Sequence, residues 1–333
     1  PQNPKTPDIR KNFLFLKLIL NNIFQFSMRT TLMTLAALLG VSQVDAQTTG
    51  KCHALALSSG DEAAAYQAGA LKGIVSSPEL NATDWAYDSV SGVSGGALNA
   101  VLMASFEKGD EVNAVDRMEQ FWTDASNTKL YKNWLGGITR GLFFEGGLYN
   151  SAPLEDFLKK EFTNLTMHRK LDIGIVDVLD GSYKDFSDTN VTQGENLVDA
   201  MYASMSFAGF FPPADVLGSS WFDGSAVWDI DIFSAINRCT DLGFKNEDII
   251  VDVIMTSSAN LKDVQAEDYK SIGMLFRYLE ISSFYNSMDG LLRAKFAYSG
   301  VDFRWIISPS GSIPSSIYPL VSSIYILLEV NFD

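Results

Sequence analysis

The chain has 333 residues, 47% hydrophobic and 20% charged, a balance that fits an ordinary globular protein and excludes a disordered, collagen-like or disulfide-dense chain. At ~100–200 residues per domain this is one large domain or two small ones, long enough to bury a full core without staples. Acidic residues number 40 against 25 basic ones, for a formal charge of −15 with no basic run. Such a chain is a poor nucleic-acid binder, and any membrane contact has to be hydrophobic or directed at neutral or zwitterionic lipid.

The first methionine is Met28. Arg29 supplies a positive start and Leu32–Val41 a short apolar run, and Val44 and Ala46 occupy the −3 and −1 positions of a cleavage site before Gln47. This pattern predicts a secretory signal peptide over residues 28–46, since the apolar run falls short of the ~18 residues of a membrane span. Residues 1–27 are then expected to be an upstream leader without structural role. The alternative is a longer uncleaved anchor beginning in Phe13–Phe26. Removal of residues 1–46 leaves 20 basic and 38 acidic residues, a formal charge of −18. Three sequons, at Asn81, Asn164 and Asn190, fit secretion or residence in the lumen of the secretory or lysosomal pathway. In an oxidising compartment Cys52 and Cys239 either pair or remain separate buried thiols. With two cysteines and no CxxC or Cys/His cluster, no structural zinc site is expected.

Beyond Gln47, apolar runs alternate with segments of helical spacing. His53–Ser58 reads as a strand and Ala63–Val75 as a helix, and Trp85–Val90 and Gly95–Phe106 repeat the pair. Glu111–Ala125 is amphipathic, with Val112, Val115, Met118 and Trp122 at helical intervals. Asn133–Asn150, rich in glycine and aromatics, is a lid, a lipid-facing loop or a packed insertion. Leu171–Leu179 is a strand that Gly181 turns back toward Tyr183–Phe186. Leu197–Ser206 is helical, Ile249–Met255 a buried strand, Glu267–Met288 a helix broken near Gly273, and Val301–Ile307 the last strand. In the tail, the apolar stretch Ile317–Leu328 is interrupted by Pro319 and is too short to span a bilayer. The alternation predicts an α/β chain, a three-layer α/β/α sandwich around a mostly parallel sheet, in one domain over residues 52–310 followed by a tail at 311–333.

Two places carry chemistry. Gly92-Val93-Ser94-Gly95-Gly96 is a G-x-S-x-G between a strand and a helix, the setting of a nucleophile elbow. The glycines allow a sharp turn, and the helix N-terminus behind the serine favours developing negative charge. A serine nucleophile needs a base. The chain has two histidines, His53 before Ser94 and His168 after it. Their number and order do not fit the serine, acid, histidine sequence of the usual hydrolase, which leaves a carboxylate as the base. Asp223 ends the aromatic run Trp221-Phe222 and opens the turn Gly224-Ser225, behind the segment Ala203–Ala214.

With these motifs the chain resembles the patatin-like phospholipases. Ala56–Gly60 leading into Ala65–Gly69 is similar to that family's first strand, loop and helix. Gly92–Gly96 matches its nucleophile motif, and Ala203–Pro213 the stretch ahead of its catalytic acid. Asp223-Gly224 matches its dyad aspartate. The resemblance implies a lipid acyl hydrolase of phospholipase or lysophospholipase type that needs no metal or cofactor. Ser94 would be the nucleophile and Asp223 the general base, working through an acyl-enzyme. Backbone N–H groups of Ser59, Gly60 and Asp61 would form the oxyanion hole, and the substrate would be a lipid at a membrane or micelle surface. The family's loop reads G-G-G-x-R/K-G; here Ser59–Ala64 keeps one of those glycines, lacks the basic residue and brings in Asp61 and Glu62. Two other readings therefore stand beside it: an impaired relative that binds lipid or serves as storage, and a histidine-dependent serine esterase, which the histidine count disfavours.

Overall fold

The computed structural model describes residues 50–189, 195–216, 218–258, 260–261, 263–265, 270–311 and 313. The expected leader at 1–27, the signal peptide at 28–46, the sequon at Asn190 and the apolar stretch at 317–328 lie outside the described residues.

Eight strands form one sheet: β1 (Cys52–Leu57), β2 (Ser89–Val93), β3 (Lys170–Asp177), β4 (Tyr183–Ser187), β5 (Ala214–Val216), β6 (Ser219–Asp223), β7 (Ile249–Ile254) and β8 (Asp302–Ile307). Their order is β5-β6-β3-β2-β1-β7-β8, with β4 also paired to β3. The strands from β3 across to β8 run parallel, and β4, β5 and β6 add antiparallel pairs beyond β3. Parallel neighbours require crossover connections, and the helices supply them. These are α1 (Ala65–Val75), α2 (Gly95–Ala104), α3 (Glu111–Ser126), α4 (Gly137–Phe144), α5 (Ala152–Phe162), α6 (Glu195–Ser204), α7 (Ile232–Asp241) and α8 (Ser271–Ala297).

The side-chain period of two along β1 divides the core. Leu55 and Leu57 join a cluster with Leu71, Val101, Met118 and Phe121 from α1, α2 and α3. Cys52, Ala54 and Ala56 point the other way, into a cluster with Ile232 and Ile236 of α7 and Ala294 of α8. The sheet is thus covered on both faces, giving the three layers expected. Cys52 and Cys239 are joined by a disulfide with Cα atoms 5.9 Å apart, which ties β1 to α7. Among the described residues no helix is long and apolar enough to cross a membrane.

Three expectations are corrected. The second strand begins at Ser89, because Trp85 and Tyr87 are buried from the loop that leads into it. The helix expected to break near Gly273 runs unbroken from Ser271 to Ala297; Gly273 falls in its first turn, where a glycine does not interrupt the interior ladder. Three helices, α4, α5 and α7, and the strands β5 and β6 appear where no such element was expected.

Candidate active site

The sheet brings Ser94 and Asp223 together over β3. Val93, at the end of β2, pairs with Gly174 of β3, while Asp223, at the end of β6, pairs with Ile175 on the other side of the same strand. Ser94 follows Val93 and caps α2 with φ 53° and ψ −126°, a conformation that L residues seldom adopt. Glycines make this turn fit. A Cβ on Gly92, Gly95 or Gly96 would lie 2.4 Å from the Gly96 carbonyl oxygen, 2.5 Å from that of Asp61 and 2.3 Å from that of Ser58, respectively. Gly224 packs equally closely, with its missing Cβ 2.5 Å from the Gly174 carbonyl oxygen. The Ser94 N–H donates to Ser204 Oγ at 2.8 Å, and Ser204 Oγ donates to the Gly174 carbonyl at 2.8 Å. Ser204 lies within the stretch Ala203–Ala214, whose sequence pattern gives it no role of its own.

Both Ser94 and Asp223 are buried, at 1% and 2% exposure. Asp223 Oδ1 accepts from the Ser225 N–H at 2.8 Å. Its buried Oδ2 has no partner of full hydrogen-bond geometry. The Ser94 hydroxyl nonetheless acts on this carboxyl and favours its charged form. Burial dominates: it raises the Asp223 pKa to about 6, against the lowering effect of Ser94 and Ser225 and with a further push from Asp229. A carboxyl so raised is a stronger base than an ordinary carboxylate.

The loop after β1 faces the elbow. Gly60 has φ 155°, and a Cβ there would meet the Thr256 side chain at 2.5 Å. Asp61 also has a positive φ, 46°. The loop is held in place by buried amides. Gln67 Nε2 donates to the Ser58 carbonyl at 2.7 Å, and Asn99 Nδ2 donates to the Ala64 carbonyl and to Gln67 Oε1, each at 2.9 Å. Asp229 anchors the other side. Its Oδ1 accepts from Ser59 Oγ at 2.5 Å and Ser283 Oγ at 3.1 Å, and its Oδ2 accepts from Ser287 Oγ. The Ser59 N–H donates to the Asp229 carbonyl at 2.8 Å. This corrects one expectation: the Ser59 N–H is committed to the Asp229 carbonyl and is not free to hold an oxyanion. Asp229 and its α8 serines carried no signal in the sequence, because a lone aspartate and scattered serines form no motif.

A cavity of about 840 Å³ opens beside the elbow, lined by Asp61, Leu98, Phe121, Tyr131, Phe207 and Phe211 among others. It lies in the range of ligand pockets. Part of its wall is the glycine-rich segment, for which both packing and exposure hold. Leu148 and Tyr149 donate backbone N–H groups to the Gly209 and Phe210 carbonyls at 3.0 and 2.9 Å. Beyond that wall Leu135, Leu142, Phe143 and Phe144 are exposed, at 93%, 55%, 69% and 78%.

Neither histidine stands at Ser94. His53 is level with Asp88 in the β1–β2 register, roughly 15–20 Å back along the strand at ~3.3 Å per residue. The His168 N–H donates to the Ala104 carbonyl at the far end of α2, roughly 15 Å away along that helix, and its Nδ1 lies 2.8 Å from Glu107. Among the described residues no group of three or more His, Cys, Asp or Glu side chains is placed to hold a metal ion. Asn81 and Asn164 are exposed.

A family model for patatin-like phospholipase matches residues 55–236, more than half of the chain and a span that includes both Ser94 and Asp223. No curated protein matches the chain. The crystal structure of VipD from Legionella pneumophila is similar over 81% of this chain and 63% of that one, at 12% identity and a TM-score of 0.35. This chain therefore spans just under two thirds of the length of that structure.

Proposed function

This chain belongs to the patatin-like phospholipase family, and we propose that it hydrolyses lipid acyl esters through a dyad of Ser94 and Asp223. What carries the reading is the convergence of a strained, buried serine with the buried Asp223 carboxyl on which its hydroxyl acts, beside an apolar cavity. Ser94 Oγ attacks the ester carbonyl carbon while its proton passes to Asp223. The tetrahedral oxyanion accepts hydrogen bonds from the Gly60 and Asp61 N–H groups, aided by the α2 N-terminus. Asp223 returns the proton to the leaving alcohol. Water then attacks the acyl-enzyme with Asp223 again as base, releasing the fatty acid and restoring Ser94. None of these steps requires a metal.

The cavity takes the acyl chain, and the exposed face of Leu135, Leu142, Phe143 and Phe144 meets the lipid surface. Arg140 in this segment is paired with Glu145 at 2.6 Å. Together with the acidic charge of the chain, this favours neutral or zwitterionic lipid over anionic lipid. Secretion, or residence in the secretory or lysosomal lumen, accompanies the reading. The disulfide suits an oxidising compartment, and the Asn81 and Asn164 sequons are accessible.

One observation favours a second reading, a relative that binds lipid without turnover: the loop has lost the Ser59 donor and holds an acid at Asp61. The two readings separate on hydrolysis of a chromogenic acyl ester and a phospholipid by the folded chain in the presence of chelator. Turnover supports the dyad; lipid binding without turnover supports the second reading.

A further inference from the structure

Three carboxyls cluster around Ser94. The mechanism uses Asp223 as base, and Asp229 anchors the loop, but Asp61 has no part beyond its backbone N–H. Asp61 is packed on the nucleophile turn: a Cβ on Gly95 would lie 2.5 Å from Asp61 O and 3.1 Å from Asp61 N. Asp61 lines the cavity together with Leu98, on the first turn of α2. Asp61 therefore stands where the cavity meets the nucleophile turn. The charged groups that act on it are Asp223 at the end of β6, Glu62 beside it on the loop, and Asp229 after β6, all of them acidic.

We propose that Asp61 is a further catalytic residue, whose carboxyl faces the reacting ester and permits turnover as the neutral acid but blocks it as the carboxylate. The inference rests on the hydrolase reading. Hydrolysis develops negative charge on an oxygen that the Asp61 N–H is placed to hold, and an ionised carboxyl on the same residue opposes that charge, whereas a neutral acid does not. Lys129 also lines the cavity, but the charges that act on Asp61 among the described residues are acidic, and carboxyls clustered in this way do not all ionise together. Burial, then Asp223, Glu62 and Asp229, raise the Asp61 pKa to about 7, whereas hydrogen bonds from Ser94 and Ser225 help to keep Asp223 at about 6. No hydrogen bond offsets the rise at Asp61, whereas Ser94 and Ser225 offset it at Asp223, so Asp223 is the first of the two to ionise as pH rises. Divergent environments thus assign two carboxyls two roles. Tyr131 and Tyr149 in the cavity are raised by burial and remain neutral across this range.

The test is the pH profile of kcat/KM on a soluble, uncharged acyl ester, from about pH 4 to about pH 9, for the wild type, Asp61→Asn and Asp61→Gly. Asparagine and glycine both accept the positive φ of this position, so the loop is spared strain, and thermal melting checks the fold. The wild type is expected to lose activity on the alkaline side. Relative to its own maximum, each variant is expected to exceed the wild type by about tenfold near pH 8, one unit above the Asp61 value. The acid limb stays in place, because Asp61 is neutral there. A purely structural role would lower the whole profile and leave the alkaline limb where it is. That result, or a wild type active without an alkaline limb, overturns the inference and leaves the hydrolase reading intact. A folded wild type inactive at every pH overturns both.

Discussion

Ser94 and Ser204 share one hydrogen bond that fixes the nucleophile turn: the Ser94 N–H donates to the Ser204 hydroxyl at 2.8 Å, and that hydroxyl donates onward to the Gly174 carbonyl at 2.8 Å. Ser204 is the last residue of α6, so three elements meet at the elbow. Ser204→Ala leaves the buried Ser94 N–H without its acceptor. The expected cost is about 1–3 kcal/mol of stability, read from denaturant unfolding, with a fall in kcat larger than any change in KM.

Asp229 couples the loop after β1 to α8 through Ser59, Ser283 and Ser287. Asp229→Ala removes the acceptor of all three serine hydroxyls at once and is expected to lower kcat by about 10- to 100-fold through misplacement of Gly60 and Asp61. Asp229→Asn keeps one acceptor oxygen and should recover part of the loss. Steady-state kinetics of the two variants, with folding checked by melting, decides this.

In the proposed dyad Asp223 has to be ionised to take the Ser94 proton. Its pKa is raised, so the ionised form is present above about 6 and is lost as pH falls through that value. The acid limb of kcat/KM is therefore expected near pH 6, about two units above the limb of an ordinary carboxylate. A limb near ~4 would mean that burial does not govern this carboxyl.

Phe143 and Phe144 are exposed on α4, beyond the cavity wall. Replacing both with serine removes apolar contact with lipid worth about 1.5–3 kcal/mol per fully buried side chain. Hydrolysis of zwitterionic vesicles is expected to fall at least tenfold more than hydrolysis of a monomeric ester, as measured by fatty-acid release from each substrate.

The sequence disclosed what depends on local pattern. The β1 and β7 runs, the helices after β1 and β2, and the G-x-S-x-G between strand and helix are all local signals, and each matches an element near its expected place. Helix α5 was legible in principle, since Leu154, Phe157, Leu158 and Phe162 follow helical spacing and are buried, with Pro153 in the first turn. Helix α7 is similar, with Ile232, Ala235, Ile236 and Cys239 on one face. The Asp229 anchor was not legible, because it joins positions 59, 229, 283 and 287 through side chains that only the fold brings together. The same holds for the Ser59 N–H, whose acceptor lies 170 residues away. The loop's few glycines read as damage to the motif. Gln67 and Asn99 hold that loop from α1 and α2, and nothing in the loop's own sequence announces them.

The most direct measurement is acyl-ester and phospholipid hydrolysis by the chain from Gln47, compared with Ser94→Ala and Asp223→Asn, each checked for folding. The dyad predicts turnover in the wild type with chelator present and its loss, by ~10³-fold or more, in both variants. Turnover that survives in folded Asp223→Asn, or a folded wild type that binds lipid without releasing fatty acid, would contradict it.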